Sequence, residues 1–200
     1  MKIIIFTLLA YLFGSLPNGL YVAKVKNVDI RNKGSKNTGA TNVFRVMGAK
    51  FGILVLILDA LKGFLPLILA EKAGVHGKIL VLIGVTAVIG HTFSPFLNFK
   101  GGKGVATSLG IFLYLTPVPM LITLAMFFIV VGISKYVSLG SVLASILLPL
   151  LILIMPANEK LGNKTVVFII SALLGAYIIY KHRANIERLK NGTENKFYKK

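Results

Sequence analysis

The chain has 200 residues, 56% of them hydrophobic and only 14% charged, with a mean hydropathy of +0.81; soluble domains are near half apolar and about a quarter charged. It has no cysteine, which excludes disulfides, zinc–thiolate sites and cysteine nucleophiles. The net charge of +17 would suggest nucleic acid in a soluble protein. Here the cations flank long apolar runs without any RNA- or DNA-binding motif, so membrane orientation and anionic headgroups explain them, and no nucleic-acid partner is expected.

Seven hydrophobic segments follow in chain order, at about 3–23, 51–70, 79–97, 104–115, 118–134, 137–155 and 165–180. A bilayer-crossing helix needs ~20 apolar residues. The expected fold is therefore an all-α integral membrane protein of about seven transmembrane helices, a single polytopic domain over 1–200. The stretch 3–10 is long enough for a signal-peptide core, but it runs on through Tyr11-Leu12-Phe13 without a clear cleavage site and reads as a retained first helix. The second segment is expected to open as an amphipathic helix near Asn42, with Arg45 and Lys50 at its polar end. The fourth is short: ~12 residues at ~1.5 Å rise give only ~18 Å. It is either a half-depth helix or a thin crossing that continues through Pro117 and Pro119.

Orientation follows the Lys and Arg residues. Segment 24–50 carries Lys24, Lys26, Arg31, Lys33, Lys36, Arg45 and Lys50. Lys100, Lys103 and Lys135 lie in later turns of the same parity, and the tail carries Lys181, Arg183, Arg188, Lys190, Lys196, Lys199 and Lys200. The opposite side holds only Lys2, Lys72, Lys78, Lys160 and Lys164. Seven crossings would put the N-terminus outside and the C-terminus in the cytoplasm.

Polar motifs gather where these cations lie. In the first loop Gly34 and Gly39 permit tight turns, while Ser35, Asn37, Thr38, Thr41 and Asn42 offer neutral hydrogen-bonding groups beside Arg31, Lys33, Lys36 and Arg45. Thr41 or Asn42 is the expected N-cap of the next helix, whose dipole favours an anion. The loop reads equally as a phosphate cradle or as a solvated positive-inside loop. In the second loop, Lys100-Gly101-Gly102-Lys103-Gly104 leads into a helix start with Thr107 and Ser108. Its spacing is not that of a Walker A loop. Backbone N–H groups with Lys103 would suit one phosphate monoester, and a tight interfacial turn is the alternative. At the C-terminal end His182, Asn185 and Leu189 share a helical face, either as a site or as part of a basic membrane anchor. Asp59 and Lys62, three residues apart, form an expected intramembrane ion pair, serving either structure or catalysis. His91 either lines a site or sits at the interface, and Ser138 and Ser141 are either donors to a ligand or interhelical bonds. No close cluster has metal-ligand spacing and no serine has a nucleophile elbow, so neither metal nor cofactor is expected.

Taken together, Gly14-Ser15-Leu16-Pro17 with Gly19, the block from Gly34 to Asn42, Gly90-His91 through to Thr107, Tyr136-Val137-Ser138-Leu139, and His182-Arg183 through Asn185, Arg188-Leu189 to Gly192-Thr193-Glu194 resemble the bacterial acyl-phosphate-dependent glycerol-3-phosphate acyltransferases, in order and in register. The resemblance implies transfer of a fatty acyl group from acyl-phosphate to the 1-hydroxyl of glycerol-3-phosphate, giving lysophosphatidic acid and phosphate, at a bacterial cell (inner) membrane with the site on its cytoplasmic face. It implies that Ser35, Asn37, Thr41, Asn42, Arg45, Gly101, Gly102, Lys103, Ser138 and Ser141 bind substrate, and that His182 and Asn185 orient glycerol-3-phosphate or stabilise the oxyanion. The partners implied are the two substrates, the lipid bilayer and an enzyme that produces acyl-phosphate. Lys36 stands where the family more often has glycine, and Asn18 replaces a more usual apolar or small residue. The rival reading is an organophosphate transporter, which would be expected to show repeated halves and helices broken at mid-membrane; no repeat is visible.

Overall fold

The computed structural model describes residues 1–156 and 163–197; Lys160, Lys199 and Lys200, counted above, lie outside the described residues. Among the described residues there are ten α-helices and no strand. They are α1 (Lys2–Ser15), α2 (Asn18–Lys24), α3 (Ala40–Met47), α4 (Ala49–Lys72), α5 (Lys78–Thr92), α6 (Val105–Leu115), α7 (Pro117–Ser134), α8 (Val137–Ile154), α9 (Lys164–Lys181) and α10 (Arg183–Lys190). The helices group into two compact units, Met1–Tyr114 and Leu115–Lys200.

Six stretches among the described residues are long and apolar enough to cross a membrane: 2–24, α4, 78–97, α7, α8 and α9. The expected fourth segment is α6, 11 residues long, or ~16 Å at helical rise. It does not continue through the prolines. α7 starts afresh at Pro117, because proline suits the first turn of a helix and breaks its interior.

In the first unit, α1 packs on α4 and α5, and α3 on α4. α1, α4 and α5 are largely apolar all round, so hydrophobicity cannot choose which side faces in; close packing and polar satisfaction do. In α4 the buried positions include Gly52, Val55, Asp59, Lys62, Gly63, Pro66 and Ala70, at the three- and four-residue steps of one helix face. Ile53, Ile57, Leu65 and Leu69 point outward.

Two expected segments are broken. The first divides at Leu16, whose extended ψ of 119° ends α1, because the ring of Pro17 disfavours a helical residue before it. The second begins as expected with an amphipathic helix, but Gly48, at φ 89° and ψ 175°, separates α3 from α4. α2, α3 and the segment between them close over a small core of Leu20, Ala23, Ile30, Val43 and Val55. Ile30 is fully buried, which favours the docked loop by about 1.5–3 kcal/mol.

In the second unit α8 packs on α7 and α9, and α10 on α8. Asn163 caps α9, its side chain accepting from the N–H groups of Thr165 and Val166. His182 closes α9, and α10 starts at the next residue.

Candidate functional site

The first loop is organised from within. The Asn42 amide, 1% exposed, donates to the carbonyls of Asn37 (2.8 Å), Lys33 (3.0 Å) and Ile30 (3.3 Å), and its Oδ1 accepts the Ser35 N–H at 2.8 Å. Asn42 was expected to face phosphate; its side chain is instead committed to holding the loop backbone. The expected cap is also corrected. Gly39 is the N-cap of α3, and Thr41 and Asn42 lie inside its first turn. The Asn37 side chain accepts the Gly39 N–H at 2.8 Å, a turn that feeds the chain into the helix ahead of the expected cap.

Gly34 has φ 60°, and a Cβ there would lie 2.2 Å from Asn42 Oδ1, so both its conformation and its contact require glycine. Lys36 has a left-handed φ of 59°, a conformation that L side chains adopt at a cost. Thr41 and Arg45, four apart on α3, share a face, and both are half-buried, while Ser35 is exposed.

Of the two forms expected for the second loop, cradle and tight turn, the structure shows the tight turn at Gly101 and Gly102. α5 ends at Thr92 and leaves its last carbonyls without helical partners. The N–H of Gly101 donates to Thr92 O at 2.9 Å, and that of Gly102 to His91 O at 3.2 Å. Both groups expected to face an anion are therefore committed to the end of α5. A Cβ on Gly101 would meet His91 O at 2.0 Å, and one on Gly102 would meet His91 Nε2 at 2.1 Å. His91 is buried and seats this loop. Lys103 precedes α6 by two residues and is half-buried. The hydroxyls of Thr92, Thr107 and Ser108 are buried and have no hydrogen-bond partner among the described residues.

Between the two loops of the first unit lies a cavity of about 360 Å³ lined by Arg31, Lys36, Asn37, Thr38, Phe96, Lys100 and Gly101. Three of these side chains are cationic. Arg31 is partly neutralised by Asp29 at 3.0 Å, and its hydrogen bonds hold that carboxyl below the usual carboxylate range. Lys36 and Lys100 have no acid among the cavity residues. An anion of phosphomonoester size fits this setting.

The second unit holds a separate buried polar cluster. Glu194 Oε1 accepts from Ser138 Oγ (2.9 Å) and Asn185 Nδ2 (2.8 Å), and Oε2 accepts from Arg188 Nε (2.7 Å). Burial alone would raise the Glu194 pKa, but the bonds from Asn185, Arg188 and Ser138, with the charge of Arg188, outweigh it and hold the carboxyl below its ordinary value. His182 is 4% exposed, and its Nδ1 lies 2.8 Å from Ile178 O. Ser141 Oγ donates to Val137 O within its own helix at 2.9 Å.

The family model described as glycerol-3-phosphate acyltransferase matches residues 4–192. The chain belongs to this family. A Fusobacterium nucleatum protein named glycerol-3-phosphate acyltransferase is 48% identical over 198 residues, 98% of this chain and 99% of its own. One of the same name from Aquifex aeolicus is 42% identical, covering 98% of this chain and 100% of its own. The crystal structure of PlsY, an integral membrane glycerol 3-phosphate acyltransferase in its glycerol 3-phosphate form, superposes with a TM-score of 0.90 at 40% identity, over 99% of this chain and 96% of that one. Its lysophosphatidic acid form gives 0.87 at 39% identity, over 98% and 95%. This member of the family is thus an integral membrane protein.

Within the first unit the structure brings Asn37 and Gly101 to one cavity and joins Ser35 to Asn42; within the second it joins Ser138 to Asn185 through Glu194. Sequence reasoning gave Glu194 no role. Its signal was chemical: an acid just after a glycine turn, in a tail otherwise rich in Lys and Arg. The sequence places Arg31 in a possible cradle within its own loop and gives Lys100 no more than an orienting charge; that the two line one cavity has no signature in either loop alone.

Proposed function

We propose that this protein transfers a fatty acyl group from an acyl-phosphate to the 1-hydroxyl of glycerol-3-phosphate. Acylation of glycerol-3-phosphate to lysophosphatidic acid, an early step of phospholipid biosynthesis, is the activity that goes with the family. The observation that carries the finer reading is the cavity between two cationic loops in a membrane-embedded unit, with Lys36 and Lys100 on its wall. Both proposed substrates bear phosphate and one bears an acyl chain.

An acyl-phosphate is already activated. The glycerol-3-phosphate hydroxyl attacks the acyl carbonyl, the carbon–oxygen bond to phosphate breaks, and inorganic phosphate leaves with the bonding pair. The hydroxyl proton passes to a phosphate oxygen, so no protein nucleophile is required. In this reading Ser35, Asn37, Thr41, Arg45 and Lys103 hold phosphate groups, and Asn42, Gly101 and Gly102 shape the loops that do so. Ser138 and Ser141 contribute hydroxyls from α8, turning them from Glu194 Oε1 and Val137 O toward substrate. His182 and Asn185 orient glycerol-3-phosphate or stabilise the developing oxyanion. The distribution of Lys and Arg supports a bacterial inner membrane with the loops 24–50 and 98–103 on the cytoplasmic face. An acyl-phosphate-producing enzyme would supply the donor.

Purified protein is incubated with glycerol-3-phosphate and either acyl-phosphate or acyl-coenzyme A. Equimolar phosphate and lysophosphatidic acid from the first donor alone is the expected result. Product from the thioester alone overturns the donor assignment. Accumulation of glycerol-3-phosphate in proteoliposomes without any acylation overturns the enzymatic reading.

A further inference from the structure

The ion pair in α4 does more than join two charges. Lys62 Nζ lies 2.9 Å from Asp59 Oδ1, and each side chain is 4% exposed. Lys62 also donates to Leu16 O at 2.8 Å, and Asp59 Oδ1 accepts from Asn18 Nδ2 at 3.0 Å. Leu16 and Asn18 flank Pro17, the point where α1 breaks and α2 begins. The pair therefore grips both sides of the break.

The break in turn touches the first loop. Two residues beyond Pro17, a Cβ on Gly19 would lie 1.8 Å from Thr38 O, so α2 and the backbone of Thr38 are in direct contact. A small polar cavity continues the connection: Asn18, Asp59 and Lys62 line it together with Thr38, His91 and Gly102. Residues of both loops thus line one cavity with the ion pair.

A buried ion pair is a poor device for stability alone. Desolvating two charges cancels much of their attraction, and apolar replacements are often as stable. What this pair provides is direction: a cation fixed on a helix-break carbonyl and a carboxylate fixed on the next side chain.

We propose that Asp59 and Lys62 are positioning residues, which lock the break at Pro17 and so hold α2 and Thr38 in register for phosphate binding by the first loop. This inference rests on the reading of that loop given above. Neither residue is assigned contact with substrate.

The chain has no cysteine, so spin labels can be placed at Tyr21→Cys on α2 and Lys33→Cys on the loop in the full-length protein. One narrow distance distribution is expected in the parent, a broad or displaced one in Lys62→Met and Asp59→Asn, and recovery toward the parent in Lys62→Arg. In unlabelled protein the same two losses should raise the apparent KM for glycerol-3-phosphate about tenfold or more, with kcat within about threefold. Asn18→Ala, which removes one arm and keeps the pair, should give a smaller change in the same direction and reports even if the charge variants fail to fold. Unchanged distances in these variants, with only the melting temperature lowered, would overturn the proposal. Altered distances with unchanged KM would retain the brace and instead sink the phosphate-binding role of the loop.

Discussion

Asn42 Oδ1 accepts the backbone N–H of Ser35 at 2.8 Å from inside the first turn of α3, so one side chain ties the loop tip to the helix that follows. Its amide also serves three carbonyls. Asn42→Ala leaves buried groups unpaired at about 1–3 kcal/mol each. A lower melting temperature by circular dichroism is expected, with an apparent KM for glycerol-3-phosphate raised at least about tenfold. Asn42→Asp, which keeps Oδ1 but loses the donors, should be no better than Ala.

Gly101 and Gly102 both press on His91, but on different atoms. A methyl group at Gly101 meets a backbone carbonyl, while one at Gly102 meets the tip of a side chain. Gly101→Ala is therefore expected to be the more damaging in acyl-transfer assays, and Gly102→Ala should regain part of its activity when combined with His91→Ala. Equal losses with no recovery would refute this account of the loop.

Glu194 ties Ser138, Asn185 and Arg188 together in the second unit. Its carboxyl is held below its ordinary value of 4.5, so the folded state binds this proton more weakly than the unfolded chain. The stabilisation is fully present above pH ~4.5 and is lost as pH falls from there through the folded-state pKa. Melting temperature should drop over that acid range in the parent and drop less in Glu194→Gln. At neutral pH, Glu194→Ala should cost about 2–4 kcal/mol, because it strands buried donors.

Arg45→Ala and Lys103→Ala are expected to raise apparent KM for a phosphate-bearing substrate by about tenfold or more, whereas His182→Ala should mainly lower kcat. Steady-state assays varying each substrate separately decide this. Normal kinetics in all three variants would remove these residues from the site.

Much of this protein was legible one segment at a time. Apolar runs long enough to cross a bilayer predict helices whatever their neighbours, because hydrocarbon forces backbone groups to pair within the segment. The break at Pro17 is hidden in the sequence because the run 3–23 stays largely apolar through it, and hydropathy does not register a ring that disfavours a helical Leu16. The Asp59–Lys62 pair was foreseen because two charges three apart inside an apolar run have few other partners.

The polar blocks were also visible in sequence as blocks, with glycines, cations and hydroxyls in register. Which groups in them remain free to meet a ligand was not. The Asn42 amide and the N–H groups of Gly101 and Gly102 look available along the chain, yet the fold turns them on Ile30, Lys33 and Asn37, and on His91 and Thr92. Sequence alone determined the membrane class, the helical content and the family's motifs, since each depends on residues close together in the chain. Tertiary structure decided the Glu194 cluster, the grip of Lys62 on Leu16 and the pairing of Lys36 with Lys100 across one cavity. Those depend on where distant segments meet, and a hydrogen bond is satisfied by whichever partner the packing brings within reach.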